Sequence, residues 1–331
     1  MKAINTLLNI NEVNELIKKG RTLVLAGQEE LLEKLERGNW IGGTIPYFMG
    51  NNGGCFDKQN IFVTDITEYA KNIKITDYDS GSISNIINDR FNNGFSYILI
   101  PGFSEVLSKY AIMAPEINGL YDVPVIGWVT GIDLNEVGKV KPKIFNGSKS
   151  VKDANKIVVM HVEIPENKLA KLEILNIFQQ GNGDSITFKE EGFSCTNCLV
   201  NSKEQNLAEY IGMNNIDTRL PLVADYSGAM INISFQNVDK SSGKVLFYAP
   251  LRKNVTYKLA DPVQNYIKQF DNALPEINDG EIIASCNCIL NYLYSELEGK
   301  KTSDIKGPFT FGEIAYVLVN QTMVYLSIIN A

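Results

Sequence analysis

The sequence predicts an α/β protein, with β-α-β units and mixed sheets in the N-terminal half and a hairpin-rich α+β arrangement in the C-terminal half. Three observations lead there. Short apolar runs alternate with helical periodicity early in the chain, in the order strand, glycine, helix, strand. That order occurs twice. After about residue 139 the texture changes to two-residue alternation broken by turn residues.

The first helix follows from Asn11 as a cap, Val13, Leu16 and Ile17 as an apolar stripe, Lys18 and Lys19 against the C-terminal dipole, and Gly20 as the stop. Residues 22–26 then predict a strand, 28–37 a helix with Leu31, Leu32 and Leu35 on one face, and 39–45 a second strand. The same order returns as a strand at 97–100, Gly102, a helix at 104–111 and a strand ending at Ile126. Leu23-Val24-Leu25-Ala26-Gly27 matches Ile98-Leu99-Ile100-Pro101-Gly102, and Glu30, Leu32 and Lys34 match Glu105, Leu107 and Lys109 at the same offset. Ile41-Gly42 then matches Ile126-Gly127 after a longer connection. These matches indicate an internal duplication.

Further along, Ile144-Phe145 and Asn146-Gly147 predict a hairpin, and 157–164 a strand closed by Pro165. Turns are expected at Asn182-Gly183 and 239–243, a helix opening on Asp261-Pro262, and a terminal pair of strands around Asn320-Gln321. The halves meet near 163–172, which gives two domains, 1–165 and 166–331.

Composition narrows the function classes. The chain has 331 residues, 44% hydrophobic and 21% charged, as folded proteins do. A net charge of −7, without a dense Lys/Arg run, argues against a nucleic-acid partner. No apolar run approaches the roughly 18 residues of a membrane span. Glu12 and Glu15 interrupt the early apolar pattern, which is unlike a secretory signal, and five cysteines are an odd count for a disulfide framework. A cytoplasmic protein with reduced thiols is expected.

His161 is the only histidine. A Ser-His or Cys-His mechanism would have to use it, and a site with two histidine ligands is excluded. Its place in Val158-Val159-Met160-His161-Val162 is a strand interior and predicts a hydrogen-bonded structural role. Gly102-Phe103-Ser104-Glu105-Val106 lacks the second glycine of a nucleophile elbow. Cys195-Thr196-Asn197-Cys198 and Cys286-Asn287-Cys288 do not have the spacing of paired zinc knuckles, so neither metal nor cofactor is expected.

Gly42-Gly43-Thr44, followed by Gly50 to Gly54, follows a strand but lacks a Walker lysine and dinucleotide spacing. It still has the makings of a binding loop: backbone that a ligand can approach, the Thr44 hydroxyl, and flat walls at Tyr47 and Phe48. The second glycine loop, 127–131, is expected to lie close to the first at the strand ends where ligands bind in α/β sheets. Glu313, after Gly312 at the entry to an apolar strand, is expected to be at least partly buried and therefore hydrogen-bonded or paired.

Gly307-Pro308-Phe309-Thr310-Phe311-Gly312-Glu313-Ile314, followed by Asn320-Gln321-Thr322, resembles the closing signature of the FIST (F-box and intracellular signal transduction) sensory domains. Ile283-Ala284-Ser285-Cys286, Ile41-Gly42-Gly43-Thr44, Val125-Ile126-Gly127 and Phe145-Asn146-Gly147 extend the resemblance over most of the chain in the same order. Asn287 and Trp128 depart from the family pattern. The resemblance implies FIST N-like and C-like domains and an intracellular module that binds a small molecule, amino acids or related metabolites among them. It also implies signalling through a separate partner, since no output domain is recognisable. The residues it and the loops single out for ligand contact are Gly42, Gly43, Thr44, Tyr47, Gly127, Trp128, Thr130, Cys286, Asn287, Thr310, Glu313 and Asn320. Two other readings are an enzyme using Glu313 or Cys286 in the same pocket, and a non-catalytic scaffold.

Overall fold

The computed structural model describes residues 4–226, 228–274 and 280–331. The chain is a mixed α/β protein with open sheets that combine parallel and antiparallel pairs. It divides into two compact units: Met1–Ile174, Leu274–Leu318 and Met323–Ala331 form the first, Leu175–Ala273 and Val319–Thr322 the second. This division differs from a split at residue 165.

The first unit begins with β1 (Ile4–Leu8), α1 (Ile10–Lys18), β2 (Leu23–Gly27), α2 (Glu29–Leu32), β3 (Trp40–Thr44), a hairpin of β4 (Tyr47–Gly50) and β5 (Gly53–Phe56), and β6 (Ile61–Asp65). The same series follows as β7 (Asn72–Tyr78), α3 (Ile86–Asp89), β8 (Gly94–Pro101), α4 (Glu105–Met113), β9 (Val125–Thr130), a hairpin of β10 (Ile144–Asn146) and β11 (Val151–Asp153), and β12 (Ile157–Glu163). A third series starts at β13 (Lys168–Leu175) and is interrupted by the second unit. That unit holds β14 (Ile186–Thr187), β15 (Gly192–Cys195), β16 (Asn197–Val200), β17 (Lys203–Asn206), α5 (Leu207–Met213), β18 (Leu222–Tyr226), β19 (Ala229–Ile233), β20 (Phe235–Asp239), β21 (Lys244–Leu251), β22 (Thr256–Leu259) and α6 (Tyr266–Ala273). The third series then resumes with β23 (Gly280–Cys288), α7 (Ile289–Tyr294), β24 (Gly307–Thr310), a hairpin of β25 (Glu313–Ala315) and β26 (Val317–Val319), and β27 (Met323–Asn330).

The duplication is therefore a triplication. The three sheets run β1-β6-β2-β3-β10-β11, β7-β12-β8-β9-β25-β26 and β13-β27-β23-β24-β4-β5. Each has one parallel pair joined by a helix, β2 with β3, β8 with β9 and β23 with β24, and an antiparallel return strand beside it. Each also receives its hairpin from another copy: β10 pairs with β3, β25 with β9, and β4 with β24. The exchange closes on itself, so no copy has a complete sheet without the other two. The sheets pack in the same cyclic way, β3 and β10 against β8 and β12, β9 and β25 against β27, and β24 against β6.

Taking Leu23 and Ile98 as equivalent, the ladders pair them with Trp40 and Gly127, so the third strands slide by two residues from the match read in sequence. Backbone register, not the Ile-Gly dipeptide, sets the correspondence. The first helix is capped by Asn9, whose side chain accepts from Asn11 and Glu12 amides while Glu12 bonds back to the Asn9 amide. Asn11 lies inside the helix. Val13 and Ile17 bury its apolar face against Leu23, Leu25 and Val63, each worth about 1.5–3 kcal/mol of transfer free energy. The helix expected over 28–37 stops at Leu32, because the following turns are held from outside: Asn14 accepts from the Glu36 amide, and Glu36 O accepts from Trp40 Nε1.

In the second unit β17-β16-β14-β22-β18-β19 form one sheet and β15-β21-β20 another. The turn at 239–243 joins β20 and β21. Asn182-Gly183 is only a bend and joins no strand pair. The helix expected at Asp261-Pro262 starts instead at Tyr266, where Asn265 accepts from the Lys268 amide. The strands flanking Asn320-Gln321, β26 and β27, belong to different sheets and are not a hairpin.

Candidate functional site

Each parallel ladder of the first unit closes on a threonine: Gly27 pairs with Thr44, Pro101 with Thr130, and Cys288 with Thr310. These are the carboxyl ends of the strands, where α/β sheets bind ligands. The two glycine loops meet there, but across two packed sheets and not along the edge of one shared sheet, since β3 and β9 belong to different sheets. The Gly131 amide donates to Thr44 O at 2.7 Å, and a Cβ added to Gly43 would stand 2.5 Å from Thr130 Cγ2.

The three strand ends are not equally filled. In the second copy, Phe103 of the β8–α4 turn packs edge-on against Phe311, with ring centroids 5.6 Å apart, and is itself 54% exposed. In the third copy, Tyr292 of α7 lies 5.5 Å from Tyr47 and 4.9 Å from Phe309. In the first copy the place is open, a cavity of about 190 Å³ lined by Gln28, Glu29, Glu30, Thr44, Lys58, Ile132, Glu136, Val140 and Lys141. The difference comes from the connections between third strand and hairpin. Ile45-Pro46 and Phe311-Gly312 are short, whereas β9 and β10 are joined by the long segment 131–143, which supplies one wall.

The cavity is lined mainly by polar side chains, with Ile132 and Val140 among them. Gln28 Nε2 is buried without a hydrogen-bond partner among the described residues. Such a donor needs an acceptor. Thr44 Oγ1 accepts from the Lys143 amide at 2.9 Å. Burial alone would raise the Glu29 carboxyl, but Lys143 and Lys152 bond to it and hold it below the usual carboxylate range. Lys58 bonds Asp133 at 2.6 Å and raises its own basicity by that bond, while Asp133 is lowered by it. Ile132 and Val140 supply the apolar wall.

Most residues singled out in sequence come together elsewhere, in the interior of the first unit. Glu313 pairs across the ladder with Trp128, and Cys286 Sγ donates to Gly127 O at 3.3 Å. Thr310 Oγ1 lies 3.3 Å from Asn287 O, 3.0 Å from Gly312 O and 3.3 Å from Glu313 Oε1. Glu313, Thr310 and Thr130 are completely buried. The cavity beside Cys286 and Asn287 is about 10 Å³, room for one water. Gly42 sits on β3 against Trp40 and Leu25. Of the twelve, Thr44 lines the open cavity, and Tyr47 stands beside it, its hydroxyl accepting from the Leu134 amide at 3.2 Å. Asn320 lies in the second unit, where its Oδ1 accepts from the Ser234 amide and hydroxyl.

Burial pushes the Cys286 thiol well up, reinforced by Glu313 and Cys288. A nucleophilic cysteine needs the opposite shift. Cys195 ends β15 and Cys198 lies in β16, a strand of the other sheet; both border a cavity of about 410 Å³ in the second unit. Burial raises these thiols too, to about 12 and about 11. Among the described residues no group of three or more His, Cys, Asp or Glu side chains is placed to hold a metal ion.

His161 is fully buried, and its hydrogen bonds form a line. Asp89 Oδ2 accepts from Tyr78 OH at 2.7 Å, so the phenol oxygen accepts from His161 Nε2 at 2.9 Å, and Nδ1 accepts from Ser96 Oγ at 2.8 Å.

Sequence reading did not pick out Gln28, Lys58, Ile132, Glu136, Val140 or Lys141. For Ile132, Glu136, Val140 and Lys141 the one signal was the long connection without its own strand or full helix between Thr130 and Ile144, a length that is uncommon unless a loop has work to do.

Fold and cavity define an α/β protein built on a threefold internal repeat, with a polar cavity at one of its three strand ends. The chain belongs to a family of unknown function, DUF6976, whose model matches residues 8–329. No curated protein matches it.

Proposed function

We propose that this protein binds a small polar metabolite in the cavity at the ends of β2 and β3, amino acids and related compounds being the first class to try. The observation that carries this reading is the buried Gln28 Nε2, which has no hydrogen-bond partner among the described residues and borders an open cavity of about 190 Å³ at the end of the first parallel ladder. A carboxylate or carbonyl satisfies Gln28 Nε2, an ammonium group suits Glu30 at the rim, and aliphatic atoms face Ile132 and Val140. A small cavity with a few converging polar groups is what metabolite recognition requires. The role is sensory, as the FIST resemblance implies, with the signal passed to a separate protein. It operates in the cytoplasm, where the five free thiols stay reduced. No helix among the described residues is long and apolar enough to cross a membrane.

The test is a melting-temperature screen of wild type and Gln28→Leu against amino acids and related metabolites. A ligand at 100 times its Kd stabilises the folded state by about 2.7 kcal/mol. The expected result is stabilisation of wild type by at least one compound, with affinity reduced about tenfold or more in Gln28→Leu. The variant should melt with the wild type when no compound is added. A screen without hits, or a hit indifferent to position 28, refutes the assignment.

A further inference from the structure

We propose that residues 131–143 form a lid over the cavity, with both feet pinned at Thr44 and a catch at Lys58. This rests on the reading that the cavity takes a ligand, and it adds how the ligand is admitted. The two ends of the segment converge on one residue: the Gly131 amide donates to Thr44 O at 2.7 Å, and the Lys143 amide donates to Thr44 Oγ1 at 2.9 Å while Lys143 O accepts from the Thr44 amide at 3.0 Å. A compact loop with its ends together moves as a unit and is a common carrier of function. Between the feet it carries its own turns, Glu136 N to Asp133 O, Lys139 N to Glu136 O and Val140 N to Glu136 O, with Gly138 in the left-handed region at φ 83°. Gly131 is the fixed end, because a Cβ there would stand 2.4 Å from Phe311 and 2.7 Å from Ile45.

The far side of the loop is held differently. Lys58, on the segment after β5, bonds Asp133 at 2.6 Å and lies 3.8 Å from Glu136, and the Leu134 amide donates to Tyr47 OH. Asp133 is nearly buried, whereas the Lys58 side chain is 40% exposed. Water and salt therefore reach the ion pair from one side. Ile132, Glu136, Val140 and Lys141 form the wall that moves when the pair opens. The connections that lead to the hairpins of the other two sheets are only Phe311-Gly312 and Ile45-Pro46. Of the three connections only the one that reaches the first sheet is long, and that sheet's strand end carries the cavity.

The experiment is amide hydrogen exchange on the full chain, wild type and Lys58→Met, with no small molecule added. Methionine keeps an apolar stem and removes the ammonium. The expected result is exchange about three- to tenfold faster at the amides of Leu134, Glu136, Lys139 and Val140, with β2, β3, β8 and β9 unchanged. Raising salt from about 0.05 to 1 M should speed the same wild-type amides and leave those of the variant alone, since screening acts on the catch. This second comparison stands even if the variant folds poorly. Loop exchange unchanged by both treatments, or an equal rise through the neighbouring strands, overturns the proposal. Because no ligand is present, the result is independent of the compound screen: a responsive loop without hits refutes the binding reading, and hits with an unresponsive loop refute the lid.

Discussion

Alanine at position 127 is expected to cost the first unit on the order of 3 kcal/mol or more, enough to remove much of its folded population. The added Cβ would stand 1.8 Å from Ile98 O and 2.7 Å from both the Ile98 carbonyl carbon and Cγ2. Two of these atoms are backbone in the parallel partner strand, so no rotamer change relieves the contact, and β8 and β9 must separate at the register that brings Cys286 to Gly127 O. Gly183→Ala is the control, because a Cβ there meets nothing within 4 Å. It should change stability by less than about 0.5 kcal/mol. Urea unfolding of both variants reads the difference. Wild-type stability in Gly127→Ala would mean that the β8–β9 ladder is wrong, and with it the equivalence of the three strand ends.

The second large effect is a loss of stability on mild acidification caused by His161. Burial lowers its pKa to about 4; Asp89 opposes this, and Lys74 and Arg90 reinforce it. In the unfolded chain the imidazole titrates near its ordinary value of about 6.5. Between those two values the unfolded state binds a proton that the folded state refuses, so stability is complete above pH of about 6.5 and falls as pH drops toward 4. One proton over that window amounts to about 3 kcal/mol, at about 1.4 kcal/mol per pH unit. His161→Gln keeps hydrogen-bonding capacity toward Ser96 and Tyr78 but does not titrate. The expected outcome is that the stability gap between wild type and this variant changes by about 3 kcal/mol from pH 7 to pH 4, in the direction of a relative loss for wild type. A gap independent of pH would show that the imidazole is not held neutral in the folded protein.

How much of this was legible in the sequence depends on the scale of the feature. The strand, glycine, helix, strand order of the first two copies was, because residues 23–44 and 98–130 keep both hydrophobic periodicity and the breaking glycines. The third copy was not, since β23 runs through Cys288 straight into α7 without the glycine, Gly27 or Gly102, that ends the strand in the other two. The exchange of hairpins was equally hidden. β26 and β27 have the alternation of a strand pair, but alternation records which face is buried and not which neighbour supplies the hydrogen bonds. Glu313, Trp128, Gly127 and Cys286 were singled out together and do lie together, because glycines and a buried acid mark close backbone approach wherever it happens. Close approach in a packed interior and close approach to a ligand leave the same trace in sequence. Gln28 left none, as an isolated glutamine has no periodicity to betray it, and Ile132 and Val140 left only the length of their loop.

The most direct test of the central claim, that the open strand end of the first copy binds a small molecule, is a methyl NMR titration of isoleucine- and valine-labelled protein with the best compound from the melting screen. The expected result is that Ile132 and Val140 methyls, which line the cavity, shift with a common saturation curve, while Ile186 and Val200 of the second unit stay in place. Shifts confined to the second unit, or saturable binding that leaves Ile132 and Val140 unmoved, would contradict it.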